Sequence, residues 1–151
     1  MNTSFSTLFE NTTSPENILE KLRNKKWNDI LYGLCFIKET QIILNYRYFK
    51  YVATKETYEF ILNYIIINID KVLKSNNEFI IHVNMKDLTI VEFDKHRTFI
   101  QNISGYLKEK YPQKLSKCYI YNAPFVFTKI YNFVSMLIDK DTQKKIELVN
   151  K

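Results

Sequence analysis

Apolar residues recur at helical spacing in three long segments, which predicts helices over residues 54–74, 94–110 and 124–138. A shorter helix is predicted to start at Ser14-Pro15-Glu16. Ser caps a helix N-terminus, Pro fits the first helical position and an acidic residue is favoured in the first turn. This short helix is predicted to end near Lys25. The chain therefore carries four predicted helices of unequal length.

Shorter apolar runs, rich in β-branched and aromatic residues, predict strands over residues 41–51, 79–85, 118–121 and 146–149. Residues 27–39 are apolar, but their pattern does not assign them to a helix or to a strand. Because the strands alternate with helices long enough to be crossovers, the pattern predicts an α/β fold with a mainly parallel β-sheet and flanking helices. Residues 1–14, rich in Ser, Thr and Asn, predict a flexible N-terminal segment, followed by a single domain over residues 15–151.

The composition is that of one globular domain, with 151 residues of which 46% are hydrophobic and 25% are charged. Two glycines and three prolines exclude collagen-like chains and all-β folds with many tight turns. Asn, Ile, Lys, Tyr and Phe, all encoded by AT-rich codons, are frequent, a bias that would suit a large DNA virus. The net charge of +6 is spread along the chain and not concentrated in one stripe, so we expect no nucleic-acid partner.

The residue types that carry catalysis or bind metals form no recognisable set. His82 and His96 stand in no zinc-binding spacing, and two glycines cannot build a phosphate-binding loop. His82 lies in a predicted strand, which favours a hydrogen-bonded core or pocket residue. We therefore expect no enzyme activity, no cofactor and no metal. Cys35 and Cys118 lie far apart, no signal peptide is visible, and residues 60–69 are shorter than the ~20 that span a bilayer, which predicts a cytoplasmic protein.

The third long helix is unusual because apolar residues occupy nearly its whole circumference. A helix that packs on a sheet and faces water has one polar side. Residues 125–138 have no such side, so this helix either packs against protein on both sides or faces an apolar cavity. The pattern alone leaves open a buried core helix, an oligomer interface and a cavity-facing helix.

Four blocks in the second half of the chain match the pattern of a known family. Residues 79–89 are similar to an apolar strand followed by Asp-Leu-Lys-Gly-aliphatic-Ser/Thr, and Tyr111-Pro112-Gln113 is similar to a Tyr-Pro-Glu turn. Residues 119–127 are similar to a strand followed by Asn-Ala-Pro and a helix start, and residues 137–146 to a Phe-Leu-Asp…Thr…Lys-Ile ending. With these blocks the chain resembles the CRAL-TRIO lipid-binding family, which includes fungal phosphatidylinositol and phosphatidylcholine transfer proteins.

The resemblance implies that the sheet is the floor of a lipid cavity and that residues 125–138 form a mobile gate above it. The ligand it implies is a phospholipid, most specifically phosphatidylinositol or a phosphoinositide, which the protein transfers or presents between membranes. The residues assigned in this way to the acyl cavity and gate are Phe125, Phe127, Ile130, Tyr131, Phe133, Val134, Met136, Leu137, Ile81 and Val83.

The resemblance also implies positions for the lipid headgroup. Thr142 and Lys145 match a Thr and a Lys that contact the inositol phosphate in family members, whereas Gln113 stands where those members have Glu. Thr89 matches a hydroxyl that contacts the choline headgroup in other members. For Lys145, an exposed cation near a helix end is the alternative interpretation. With two further basic residues, the candidate headgroup residues are Lys145, Thr142, Gln113, Thr89, Lys86 and Arg47.

The chain departs from the family pattern in several places. Asp87 replaces the Gly of the Asp-Leu-Lys-Gly block and Asn84 replaces its Asp. The helical N-terminal lobe and the C-terminal segment of the family are not recognisable, so the resemblance implies a reduced version of the fold. We expect a phospholipid partner, transient peripheral association with an anionic membrane, and self-association or membrane docking through the uncovered face. The alternative is a non-transferring interaction module that uses residues 125–138 for dimerisation or docking.

Overall fold

A computed structural model describes residues 14–149 of the chain, so most of the predicted N-terminal segment 1–14 lies outside the described residues. The described part contains eight helices and five strands. In chain order these are α1 Pro15–Arg23, α2 Trp27–Leu34, β1 Cys35–Lys38, β2 Gln41–Asn45, α3 Tyr46–Val52, α4 Tyr58–Leu73, β3 Phe79–Asn84, α5 Ile90–Lys95, α6 Arg97–Lys110, β4 Leu115–Tyr121, α7 Phe127–Ser135, α8 Lys140–Gln143 and β5 Ile146–Val149.

The five strands form one sheet in the order β1-β2-β3-β4-β5. Strands β1 and β2 pair antiparallel, and the other three pairings are parallel. This arrangement confirms the predicted α/β class with a mainly parallel sheet. The unassigned residues 27–39 supply α2 and β1, the edge strand of the antiparallel hairpin.

Helix starts follow local hydrogen bonding. The Ser14 hydroxyl accepts a bond from the Asn17 amide at 3.3 Å, which confirms the predicted start of α1. The predicted strand 41–51 is wrong beyond Asn45, whose side chain accepts from the Arg47 amide at 3.1 Å and caps α3. A short polar cap therefore ends the strand where the aromatic content of the following residues had suggested more β-structure.

The predicted helix 94–110 is two helices. Helix α5 starts earlier, with the Thr89 hydroxyl accepting from the Glu92 amide at 3.2 Å, and the chain bends at His96 before α6 begins. Asp94 therefore lies inside α5 and caps nothing. The apolar segment predicted as one helix over residues 124–138 is regular only over α7, because the turn after Pro124 comes first.

Strand residues alternate between two faces of the sheet. Ile42 and Ile81 belong to the main core, together with Ile65 of α4 and Phe99 of α6. Because β2 to β5 follow one another across the sheet in the same direction, right-handed crossovers place α4, α6 and α7 on this same face. We call it the helix-covered face.

The opposite face holds a smaller cluster of strand side chains around Ile43, Tyr121 and Val149. His82 lies there, fully buried, with Nδ1 2.7 Å from the Tyr121 hydroxyl and Nε2 bonded to the Gln41 side chain. Burial lowers the pKa of His82 to about 4, so its imidazole is neutral near neutral pH. His82 is thus a hydrogen-bonded core residue, as its place in a strand predicted.

Candidate functional site

An apolar cavity of about 230 Å³ lies between the helix-covered face of the sheet and the helices above it. The residues that line it come from β2, β3 and the neighbouring helices and loops, and nearly all present carbon atoms. They are Leu34, Leu44, Asn45, Tyr46, Phe49, Ile65, Val83, Met85, Leu88, Phe93, His96, Phe99, Ile100 and Ile103.

Strand alternation and helix periodicity explain why these side chains meet. Leu44 and Val83 are paired residues of β2 and β3 and form the floor. Ile65 of α4 and Ile103 of α6 close the top, each from the apolar stripe of its helix. Since Met85 also lines the cavity, the cavity lies toward the carboxyl ends of β2 and β3, where open α/β sheets bind ligands.

His96 is a titratable residue in the cavity wall. Its Nδ1 lies 2.6 Å from the Tyr58 hydroxyl, and its ring packs edge-on against Phe49 with centroids 5.0 Å apart. Burial lowers the pKa of His96 and the positive charge of Lys95 lowers it further. A neutral, hydrogen-bonded imidazole keeps this wall compatible with hydrocarbon.

The wall beside α5 separates the cavity from α7. The Phe93 side chain is buried and lines the cavity, and its outer edge meets the Phe133 ring of α7, with centroids 5.5 Å apart and planes at 82°. The guanidinium of Arg97 stacks on both rings, 4.6 Å from the Phe133 centroid and 5.3 Å from the Phe93 centroid. Helix α7 is therefore held against the outside of the cavity wall.

The residues predicted for the cavity and gate take different places. Val83 lines the cavity, and Ile81 lies in the core on the same strand face. Phe133 contacts the wall, and Ile130, the residue one turn before it, is buried. Four other residues predicted for the gate are half-buried: Phe127, Tyr131, Val134 and Leu137.

Two predicted gate residues lie at the ends of α7 and face solvent. Phe125 is 99% exposed and Met136 is 76% exposed. The apolar circumference of this segment is therefore divided, with the Ile130 and Phe133 side turned to the protein and the residues flanking the helix turned to water. Large exposed apolar side chains of this kind are typical of interaction surfaces.

The six predicted headgroup residues fall into two groups on opposite edges of the sheet. Because β2 to β5 are parallel, residues that follow strands share one edge and residues that precede them share the other. At ~3.3 Å per residue, the strands separate the two edges by roughly 15–20 Å. The carboxyl-edge group is Arg47, Lys86 and Thr89, and the amino-edge group is Gln113, Thr142 and Lys145.

The carboxyl-edge group lies next to the cavity. Arg47 Nε donates to Asp87 Oδ2 at 2.9 Å, and the Thr89 hydroxyl caps α5. Asp87 stands where the family block has Gly, and it adopts φ 72°, in the left-handed region that favours Gly. Lys86 is exposed. The Arg47–Asp87 ion pair thus links the turn after β3 to the first turn of α3.

Within the amino-edge group, Thr142 is held by Asp139, a residue that was not among the predicted headgroup residues. Its carboxylate accepts from the Thr142 amide at 2.7 Å and from the Thr142 hydroxyl, and these bonds, with the charges of Lys108 and Lys145, lower the pKa of Asp139. Lys145 is half-buried. The Asp-x-x-Thr spacing was a readable capping signal, whereas Lys108 lies in another helix and had no local signal.

Comparisons with known proteins agree with this architecture. The family model for the CRAL/TRIO domain matches residues 38–151. The chain belongs to the CRAL/TRIO domain family. The fold resembles that in the crystal structure of Sfh5, with a TM-score of 0.62 and 19% identity over 76% of this chain and 46% of that one. The Sec14 cytosolic factor of Schizosaccharomyces pombe is 27% identical over 67 residues, which are 44% of this chain and 23% of that protein.

The predicted CRAL-TRIO resemblance is thereby confirmed. The chain spans less than half the length of these two relatives. CRAL/TRIO proteins are lipid-binding transporters and in general not enzymes. Within residues 14–149, no helix is long and apolar enough to cross a bilayer, and no cluster of His, Cys, Asp and Glu could hold a metal ion.

Proposed function

We propose that this CRAL/TRIO protein binds a phospholipid, specifically phosphatidylinositol or a phosphoinositide, on the helix-covered face and transfers or presents it between membranes. The observation that carries the proposal is the apolar cavity, whose outer wall rests on α7 through Phe93 and Phe133. A cavity lined by hydrocarbon beside a helix with exposed apolar residues suits a lipid tail that enters from a bilayer.

The volume of the cavity requires that this site opens. Pockets for drug-sized ligands enclose roughly 300–1,000 Å³, so a cavity of about 230 Å³ holds only part of one acyl chain. On the same sheet face as Val83, the floor continues into β4 and β5, where Ile120 is buried and Leu148 is 44% exposed. Movement of α7 away from β4 and β5 would extend the floor toward Lys145, and such gating steps commonly set transfer rates.

The amino-edge group supports an inositol phosphate headgroup. Lys145 can form a charge-assisted hydrogen bond to a phosphodiester, and Asp139 holds Thr142 beside it. The net charge of +6 favours approach to an anionic membrane surface, where each basic residue contributes ~1 kcal/mol. The carboxyl-edge group offers a second headgroup position next to the cavity, through Lys86 and Thr89.

The test is to extract purified protein with organic solvent and identify the lipid by mass spectrometry, followed by transfer assays between vesicles. We expect stoichiometric phospholipid and transfer of phosphatidylinositol. Lys145→Ala should reduce phosphatidylinositol transfer, whereas Lys144→Ala, the exposed neighbour with the same charge, should not. Absence of bound lipid together with absence of transfer would refute the proposal, and equal effects of the two variants would refute the headgroup assignment.

The exposure of Phe125 and Met136 supports a second candidate, an interaction module that does not transfer lipid. Met136→Asp and Phe133→Asp distinguish the two. If α7 gates a lipid site, Phe133→Asp should abolish lipid loading while the molecular mass stays unchanged. If α7 instead joins two copies of the chain, Met136→Asp should convert a dimer into monomers in analytical ultracentrifugation.

A further inference from the structure

One side chain connects α7 to both helices of the cavity wall. Arg97 begins α6, stacks on Phe93 of α5 and on Phe133 of α7, and its guanidinium lies 2.7 Å from the carboxylate of Asp94. The rings beneath it also pack on each other. A single guanidinium therefore covers the junction between the cavity wall and α7.

This contact is one that an anionic surface can break. The Arg97 side chain is 47% exposed, and Asp94 is 53% exposed, so water and solutes reach both partners. Exposed ion pairs and cation–π contacts are weak individually. The planar guanidinium also binds phosphate oxygens in a bidentate manner, so a lipid phosphate competes directly for the same donors.

We propose that Arg97 is a latch that holds α7 against the outer wall of the cavity and that the phosphates of an anionic membrane release it. When Arg97 turns from the Phe133 ring to lipid phosphate, α7 loses its stacked cation, while the Phe93–Phe133 contact, the buried Ile130 and the bond from the Gln143 amide to the Ser135 carbonyl remain. The same membrane that supplies or receives the lipid thus opens the site. Arg97 acts here as a positioning residue, because it controls α7 and does not line the cavity.

This inference rests on the proposed function and concerns its regulation. In solution and at an uncharged surface, the latch releases α7 only by thermal fluctuation. The latch predicts that the charge of the membrane controls opening of α7 even if the bound lipid itself is neutral.

The experiment measures hydrogen–deuterium exchange of residues 127–135 in the full chain, with vesicles of phosphatidylcholine alone and vesicles containing phosphatidylserine. For the wild-type protein, phosphatidylserine should accelerate exchange of this segment. In Arg97→Gln, exchange should already be about two- to fivefold faster with phosphatidylcholine, the ratio expected for loss of an exposed cation–π contact. Phosphatidylserine should then add little.

Controls separate the latch from net charge and from folding. Arg23→Gln removes the same charge from the exposed end of α1 and should behave like the wild type. Arg97→Lys keeps the charge without the planar stack and should restore part of the response, while Phe133→Leu should resemble Arg97→Gln. Thermal unfolding of all variants in parallel identifies any that are globally destabilised.

The outcomes distinguish the latch from the lipid site. The latch would be overturned if wild type and Arg97→Gln exchanged at equal rates, or if phosphatidylserine did not change the exchange rate of the wild type. Either result would count even if extracted lipid showed that the site is loaded. If exchange responds as expected but no phospholipid is ever extracted or transferred, the latch stands and the proposed function fails.

Discussion

Filling the cavity is the most direct perturbation of the site. Val83 lies on the cavity floor, so Val83→Phe directs a larger side chain into empty space. In an enclosed apolar cavity, each unfilled Å³ costs ~24 cal/mol of stability, which is an upper bound for a site that is partly open to solvent. A ring that fills roughly a quarter of the cavity of about 230 Å³ should recover up to about 1 kcal/mol. For a chain of this size that is an increase in Tm of roughly 2–4 °C.

The assay has two measurements on the same preparation. Thermal unfolding of the delipidated protein reports stability, and mass spectrometry after incubation with phospholipid vesicles reports loading. We expect Val83→Phe to raise Tm and to reduce the loaded fraction, since the aromatic ring occupies the volume of an acyl segment. The higher Tm and the lower lipid loading have the same physical cause, because the ring fills the volume that an acyl segment would occupy.

Ile42→Phe is the matched control. Ile42 lies on the neighbouring strand and the same sheet face but is fully buried in the main core and outside the cavity lining. Overpacking a filled core typically costs 1–3 kcal/mol, so this variant should lower Tm by several degrees. If Val83→Phe destabilised the protein as Ile42→Phe does, and lipid loading were unchanged, the cavity would not be the lipid site.

Three further predictions concern residues around the site. Asp87→Gly should be about 1 kcal/mol more stable than Asp87→Ala in chemical denaturation, because only Gly adopts a positive φ without strain; equal stabilities would contradict the assigned turn. Thr89→Ala should cost about 1 kcal/mol through loss of the α5 cap, and Thr89→Ser should restore most of it. Because the folded-state pKa of His82 is lowered from 6.5 to about 4, the unfolded chain binds the extra proton first, so the unfolding free energy should decrease as pH falls from about 6.5 to about 4. His82→Gln should reduce that decrease, leaving the smaller contribution of His96, and a wild-type curve without the decrease would contradict the lowered pKa of His82.

The amino-acid pattern was sufficient for the α/β class and for the strands β2 to β5, but it left α2 and β1 unassigned and predicted α3 as strand. Periodicity predicted the long helix ending near Leu73, and β-branched runs predicted the strands at Ile80 and Ile146, because these signals are local and repeat within each element. Motif similarity predicted the family. Where the prediction failed, as at Asn45, a single side-chain cap outweighed the aromatic content of the following turn.

The site required more than local pattern. Leu44, Ile65 and Ile103 were readable as buried positions, but nothing in their spacing showed that they enclose a common cavity with Phe93. Arg97 and Phe133 lie far apart in the chain, and their contact depends on how α5, α6 and α7 meet. Local sequence patterns do not show which side chains from distant segments come into contact.

The sequence by itself determined the α/β class, the order of the long apolar helical segments and of four of the five strands, the family and the apolar character of residues 125–138. Only the tertiary structure decided that α7 turns the Ile130 and Phe133 side inward, that the headgroup candidates divide between two edges, and that Arg97 covers the junction. The physical reason is range: propensity and amphipathicity act within one element, whereas strand order, crossover handedness and packing decide which distant side chains share a volume.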